Sequence, residues 1–203
     1  MLKKASADVV VVGAGVAGCS AFYALAKHAA GNQNRSFKPL LIDAMSPMSL
    51  TSARGTFAYR NWWPGAGEES MMRLVSRSID IFDEIAAAHN NEIELNRNGY
   101  LFVTRREGQV KKFREMAKNH ELLGGGAVRV HLNGDSSIYN PSTKYHDKLD
   151  GCDLILGHEN ILKLFPSLKE SGAIAVLHVR RAGSLNPFKL VSIVTFFAVH
   201  SAF

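Results

Sequence analysis

The fold of this chain is decided by the stretch Asp8-Val9-Val10-Val11-Val12-Gly13-Ala14-Gly15-Val16-Ala17-Gly18. The valine run is typical of a parallel strand that is buried on both faces, and the alanine-rich run 16–30 is typical of a helix. The first glycine permits a tight turn, the second a close approach of a pyrophosphate to the backbone, and the third close packing of helix on strand. This order predicts the start of a βαβ unit that binds a dinucleotide.

The segment after this helix completes the predicted unit. A polar loop leads to Leu40-Leu41-Ile42-Asp43, which predicts a second buried parallel strand that ends in an acidic residue. The Asp43 carboxylate can accept hydrogen bonds from a ribose diol, and its charge would repel a 2′-phosphate. A glycine turn followed by a chance aspartate is the alternative interpretation of the same pattern.

Composition excludes several classes of protein. Hydrophobic residues make up 46% and charged residues 21% of the 203 residues, which argues against disorder. The net charge is +6, but the basic residues are scattered pairs without an interleaved aromatic stripe, so we predict no nucleic-acid partner. No apolar run is long enough to span a membrane, and we predict a cytoplasmic protein. Two cysteines and eight histidines without ligand spacing predict no metal site.

The rest of the chain alternates helical and extended patterns. Apolar residues at 71, 75, 79, 82 and 86 share one face of a long helix that begins near Glu68. Ile93 and Leu95 alternate with polar residues, which predicts a strand before an Asn98-Gly99 hairpin turn. The further predicted elements are a strand at 100–103, a basic helix at 105–123, a polar surface excursion at 133–151, helical turns at 160–165, a strand at 173–179 and a helix from Pro187.

Beyond the glycine motif, the chain resembles the FAD-dependent amine and amino-acid oxidoreductases that include D-amino-acid oxidase, glycine oxidase and sarcosine oxidase. The resemblance begins at Asp8 and recurs in Leu50-Thr51-Ser52-Ala53-Arg54-Gly55, which is similar to the family's Ser/Thr-rich flavin loop. Asn96–Leu101 resembles the strand that enters the substrate domain. Phe165-Pro166 and Gly183–Pro187 resemble the segments that return to the FAD domain.

This resemblance implies an α/β fold, with a Rossmann-like FAD-binding domain at 1–90 and a partial α+β substrate domain at 91–181. Residues 182–203 would begin the return to the first domain. It also implies oxidation of an amine or amino acid by hydride transfer to the flavin. The predicted FAD-binding residues are Gly13, Ala14, Gly15, Val16, Ala17, Gly18, Asp43, Ala44, Thr51 and Ser52.

The sequence also departs from that family. Phe22 stands where a small residue usually follows the motif, and family members are about twice as long as this chain. Residues 191–203 contain no Asp, Glu, Lys or Arg, unlike an amphipathic surface helix. A fully buried helix and a truncated or misread gene end would each explain this, and we favour the second. We therefore expect a truncated N-terminal fragment with little turnover of its own. The alternatives are an NAD-dependent Rossmann enzyme and a non-catalytic product that only binds nucleotide.

Few residues outside the motif suggest chemistry. Arg60 is the one catalytic candidate, because a bidentate arginine can bind a substrate carboxylate; a surface arginine beside Trp62 and Trp63 is its alternative. For these tryptophans we expect packing, and for His178 a structural role. The sequence leaves open the substrate, the electron acceptor, any covalent flavin link and the oligomeric state.

Overall fold

A computed structural model describes residues 6–31, 37–132, 139–142, 144–147 and 149–201; for 197–201 it describes the backbone alone. The elements follow in this order: β1 (Val9–Val12), α1 (Val16–Gly31), β2 (Pro39–Ile42), β3 (Ala58–Arg60), α2 (Glu69–Ala88), β4 (Tyr100–Thr104), α3 (Glu107–Leu122), β5 (Val128–His131), β6 (Cys152–Leu156), α4 (His158–Leu164), β7 (Ala175–Val179), β8 (Ala182–Ser184) and α5 (Pro187–Ser201). Two short 3₁₀ helices cover Thr51–Ala53 and Pro166–Ser171.

The chain divides into two compact units, one formed by 1–57 with 186–203 and the other by 58–185. Helix α2 belongs to the second unit, although its residues fall within the segment 1–90 predicted for FAD binding. Compactness is a different property from cofactor binding, so the functional boundaries 1–90, 91–181 and 182–203 stay a prediction.

The first unit contains the predicted βαβ arrangement. Strands β1 and β2 are parallel, with Val10 opposite Leu40 and Val12 opposite Ile42. Phe22 and Ala26 of α1 pack against Val11 and Leu41. Helix α1 therefore connects the two parallel strands and covers one face of the pair, as the sequence predicts.

The prediction that β1 and β2 are buried on both faces is wrong. Val10 is 48% exposed, Val12 78% and Ile42 44%. Among the described residues the two strands pair only with each other. Helix α1 covers the face that carries Val11, so the opposite apolar face, expected to be inside, is open.

The second unit is built on a four-stranded sheet with the order β4-β7-β6-β5. Strand β7 lies antiparallel to β4 and β6, and β5 runs parallel to β6. Phe113 and Ala117 of α3 pack with Trp62 on the face that carries Leu154 and Leu177. The opposite face is closed by a cluster that contains Ile155, Ile161, Ala173 and Val176. The mixed α+β architecture agrees with the predicted fold class.

Two predictions about the second unit are wrong. Ile93 and Leu95 are buried but lie outside any strand, because the backbones of Asn90, Asn91 and Glu94 adopt the left-handed conformation, with φ between 48° and 55°. The expected hairpin is therefore absent from this described segment, and β4 pairs with distant β7. Strands β5 and β6 also went unpredicted.

Candidate functional site

The glycine loop connects β1 to α1 through a tight turn. Gly13 has a φ of +103°, which an L side chain rarely adopts, and its N–H donates to the Ile42 carbonyl at 2.8 Å. A Cβ atom at Gly15 would lie 3.0 Å from Ser52 Oγ. The backbone conformation thus favours glycine at position 13, and the close approach of Ser52 favours it at position 15.

Asp43 follows the last residue of β2 and reaches back to the glycine loop. Its Oδ2 accepts the Ala14 N–H at 2.6 Å, and its Oδ1 accepts the Met45 N–H at 2.8 Å. The Ala14 bond, then the Met45 bond, lowers the pKa of this carboxyl group. The carboxylate is exposed and ionised at neutral pH. It therefore retains acceptor capacity toward solvent.

The segment 44–54 folds over the same loop. Ser52 Oγ accepts the Val16 N–H at 3.2 Å, and the Met48 N–H donates to the Ala14 carbonyl at 3.0 Å. Met48 is buried with a φ of 61°. Ala44 and Thr51 are exposed beside these contacts. Sequence reasoning missed Met45 and Met48, because both contribute backbone groups that any residue type offers.

The first turn of α1 is suited to an anion. The first N–H groups of a helix have no partner inside it and carry the positive end of the helix dipole. No acidic side chain stands in this turn. With no Cβ at Gly15 to crowd the Ser52 loop and no acidic side chain in the turn, the residues present fit the diphosphate of a dinucleotide.

The remaining candidates lie in the second unit. Arg60 is an exposed residue of β3, and its guanidinium carbon lies 4.8 Å from the Tyr100 ring centroid. Trp62 is buried, with its ring centroid 4.8 Å from that of His120. His178 is also buried, where it accepts the Tyr139 hydroxyl at 2.9 Å and donates to the Asn98 carbonyl at 3.2 Å. These contacts give Trp62 and His178 structural roles.

A buried ionic cluster accompanies His178 on the same sheet. The Asp153 carboxylate, with no exposed surface, accepts from Arg180 at 2.6 Å, Arg129 at 2.8 Å and His131 at 2.9 Å. Burial alone would raise the pKa of Asp153, but the three donors outweigh burial and lower it. The cluster holds together β5, β6 and the residue that follows β7.

Neither a metal-binding cluster nor a membrane-spanning helix is found in the described ranges. Those residues include no group of three or more His, Cys, Asp or Glu side chains placed to hold a metal ion. No helix among them combines the length and apolar character that crossing a bilayer requires.

The arrangement of strand, glycine loop, helix and acidic strand end is shared with a known family. A family model described as FAD dependent oxidoreductase (DAO) matches residues 8–194. The chain belongs to this family. Its members are FAD-dependent, which confirms FAD as the cofactor predicted from the sequence. A search among curated proteins gave no match.

Solved structures of a dehydrogenase and of several oxidases share the fold at low sequence identity. L-proline dehydrogenase from P. horikoshii is similar over 97% of this chain and 42% of its own, at 18% identity and a TM-score of 0.71. Glycine oxidase from Bacillus cereus ATCC 14579 is similar over 97% of this chain and 44% of its own, at 16% identity and a TM-score of 0.67. Iminodiacetate oxidase from Chelativorans sp. BNC1 is similar over 96% of this chain and 45% of its own, at 17% identity and a TM-score of 0.63. The chain thus spans less than half the length of these structures.

Proposed function

We propose that this chain supplies the FAD-holding part of an oxidoreductase that oxidises an amine or amino acid at the carbon beside nitrogen. The observation that carries the proposal is the glycine loop: Gly13 turns the chain at the end of β1, and Gly15 keeps the backbone before α1 free of a side chain. The family match over 8–194 supports FAD as the dinucleotide. A cytoplasmic location stays a prediction of the sequence.

Different residues of the first unit would bind different parts of the nucleotide. The loop Gly13–Gly18 and the first turn of α1 would receive the diphosphate on backbone N–H groups, without a side chain at Gly15 to obstruct it. The exposed acceptor sites of Asp43 would take the ribose hydroxyls. Ala44, Thr51 and Ser52 border the same loop, and Ser52 Oγ already contacts the Val16 N–H. When bound, FAD supplies the acceptor for the hydride of the substrate C–H bond.

The substrate class is proposed from the names of the structural neighbours. Those proteins are named for proline, glycine and iminodiacetate, and each of these compounds combines an amine with a carboxylate. Arg60 is our candidate for the substrate carboxylate, because its guanidinium is exposed and held above Tyr100.

Ligand-dependent melting tests the cofactor. At equal concentrations, FAD should raise the melting temperature of the chain more than NAD or NADP, since a ligand that binds the folded state stabilises it. A larger shift with NAD would contradict the proposal. A Gly15→Val variant is the control, because its side chain would meet Ser52 Oγ and block the loop. This variant should lose the FAD shift.

Anaerobic bleaching of the flavin tests the substrate class. The FAD-loaded chain is mixed under nitrogen with proline, glycine or iminodiacetate, and separately with a 2-hydroxy acid of similar size. Slow bleaching by an amine or amino acid, in keeping with the little turnover expected of a fragment, and none by the hydroxy acid would support the proposal. The reverse order would contradict it. Arg60→Lys, which keeps the charge but loses the bidentate geometry, should weaken the response to carboxylate-bearing amines.

A further inference from the structure

We infer that Asp43 is a positioning residue that holds the glycine loop in its ligand-ready shape before any nucleotide binds. The inference deepens the proposed function, because the loop concerned is the one proposed to receive the FAD diphosphate. It adds a second role to the ribose contact expected for an acidic residue at this point of the fold. The same carboxylate would then serve the protein backbone and the sugar at once.

The contacts around Ala14 carry the inference. The Ala14 N–H donates to Asp43 Oδ2 at 2.6 Å, and the Ala14 carbonyl accepts the Met48 N–H at 3.0 Å. Both backbone groups of this residue are therefore held by the segment that follows β2. Gly13 donates to the Ile42 carbonyl at 2.8 Å. The peptide groups on both sides of Ala14 are thus fixed, and with them the direction of the next N–H groups.

The second oxygen of Asp43 fixes the carboxylate itself. Oδ1 accepts the Met45 N–H at 2.8 Å, so the two oxygens bridge Met45 and Ala14. The Ala44 N–H is a weaker third donor to the same carboxylate, whose two oxygens offer about four acceptor sites. Because Asp43 is exposed, the carboxylate retains acceptor capacity toward solvent and can accept from a ribose hydroxyl. Holding the loop and holding the sugar are therefore compatible.

A chemically matched contact elsewhere in the unit provides the control. Asp8, at the opposite end of the same strand pair, accepts the Lys38 N–H on Oδ2 at 2.8 Å and is exposed like Asp43. Each aspartate joins β1 to the β2 side of the unit through a backbone N–H. Of these two aspartates, only Asp43 contacts the glycine loop. Replacing each of them by alanine therefore distinguishes the loss of a hydrogen bond between the two strand segments from the loss of order in the glycine loop.

Amide hydrogen exchange of the nucleotide-free chain is the first test. In Asp43→Ala, exchange at Ala14 and Met45 should accelerate about tenfold, as expected for loss of an exposed hydrogen bond to a charged acceptor. Asp8→Ala should leave both amides unchanged. Unchanged exchange in Asp43→Ala would overturn the inference. If the alanine variant unfolds, Asp43→Asn serves instead: its single carbonyl oxygen should protect one of the two amides and lose the other.

Ligands with and without the ribose diol form the second test. ADP and 2′,3′-dideoxy-ADP carry the same diphosphate, but only ADP offers the hydroxyls. If Asp43 positions the loop, Asp43→Ala should weaken both ligands about tenfold or more, and Asp8→Ala neither. Weakening of ADP alone would overturn the inference and leave Asp43 as a ribose ligand only. Failure of FAD to bind the wild-type chain would contradict the proposed function, whereas the exchange test needs no nucleotide.

Discussion

A Cβ atom placed on Gly18 would lie 1.8 Å from the carbonyl oxygen of Gly13 and 3.0 Å from its carbonyl carbon. These neighbours are backbone atoms, which cannot rotate away as a flexible side chain can. Helix α1 therefore begins directly against the turn that ends β1. The third glycine of the motif is required by this approach and needs no ligand to explain it.

Gly18→Ala should destabilise the first unit and weaken FAD together. The added methyl group must push α1 away from the Gly13 turn, at a cost of about 1–3 kcal/mol for an overpacked position. Melting followed by far-ultraviolet circular dichroism and a titration with FAD measure the two effects. Gly31→Ala is the control, because Gly31 belongs to the same helix and a Cβ there meets nothing within 4 Å. Equal behaviour of the two variants would contradict the packing argument.

Asp153→Asn should destabilise the second unit by about 3–5 kcal/mol, because it leaves the buried Arg180 without its counter-ion. Both tryptophans of the chain, Trp62 and Trp63, lie in this unit, so their fluorescence during denaturant unfolding reports its stability. Glu170→Gln is the control, since its side chain is 88% exposed; it should change stability by less than about 0.5 kcal/mol.

The contribution of Asp153 also has a direction in pH. The folded-state pKa of this carboxyl lies below the ordinary value of 3.8. The stabilisation is therefore complete at neutral pH and is lost only as the pH falls below 3.8. An Asn variant as stable as the wild type at pH 7 would show that the cluster contributes nothing.

The βαβ unit could be predicted from the sequence because its signals are local. The turn at Gly13, the helix after it and the acid at the end of β2 each follow from residues within a few positions. The contacts of Asp43 with Ala14 and of Ser52 with Val16 join positions 29 and 36 residues apart. The motif indicates that these residues meet, but it does not indicate which backbone groups they bind.

Strand β6 shows why other parts were missed. Asp153 is the second of the five residues of this strand, and a charged residue there argues against a fully buried strand. Its partners Arg129, His131 and Arg180 come from other parts of the sheet, so no local pattern indicates that the charge is paired. The exposure of β1 was missed for a related reason. The apolar composition of a strand indicates that its faces favour burial, but the exposed fraction of each side chain depends on which other elements cover that face.

The two cysteines should react slowly in the folded chain. Cys19 and Cys152 are free and have no exposed surface. Burial raises the pKa of Cys152 to about 12, and burial followed by the charge of Asp43 raises that of Cys19. Since the thiolate is the reactive form, labelling by a water-soluble disulfide reagent at pH 8 should be far slower than in guanidinium.

Because the cysteines lie in different units, they also report unfolding separately. In a denaturant series, labelling of Cys152, measured by mass spectrometry of its peptide, should follow the tryptophan fluorescence of the second unit. Labelling of Cys19 should respond to FAD, whose binding should protect it. Rapid labelling of Cys152 without denaturant would contradict its burial.

The stability of the second unit should fall as the pH drops from 6.5 toward 4. Burial, the largest cause, lowers the pKa of His120 to about 4, and burial followed by the charge of Arg180 lowers that of His178 to about 4. Both rings are therefore neutral when folded, whereas the unfolded chain takes up protons below 6.5. Each histidine should remove about 1.4 kcal/mol per pH unit within this window and nothing above it.

Denaturant unfolding at pH 7, 6 and 5, followed by tryptophan fluorescence, measures this loss. His120 is well placed for the test, because its ring contacts Trp62 and its Nδ1 lacks a hydrogen-bond partner within the described ranges. The slope of the unfolding free energy against pH is set by the number of protons taken up on unfolding. In His120→Gln this number should fall by about one, whatever the stability of the variant at pH 7. His28→Gln changes an exposed histidine of the first unit and should leave the slope unchanged. A flat stability between pH 6.5 and 5 in the wild type would contradict the prediction, because it would mean that the buried rings become charged without cost.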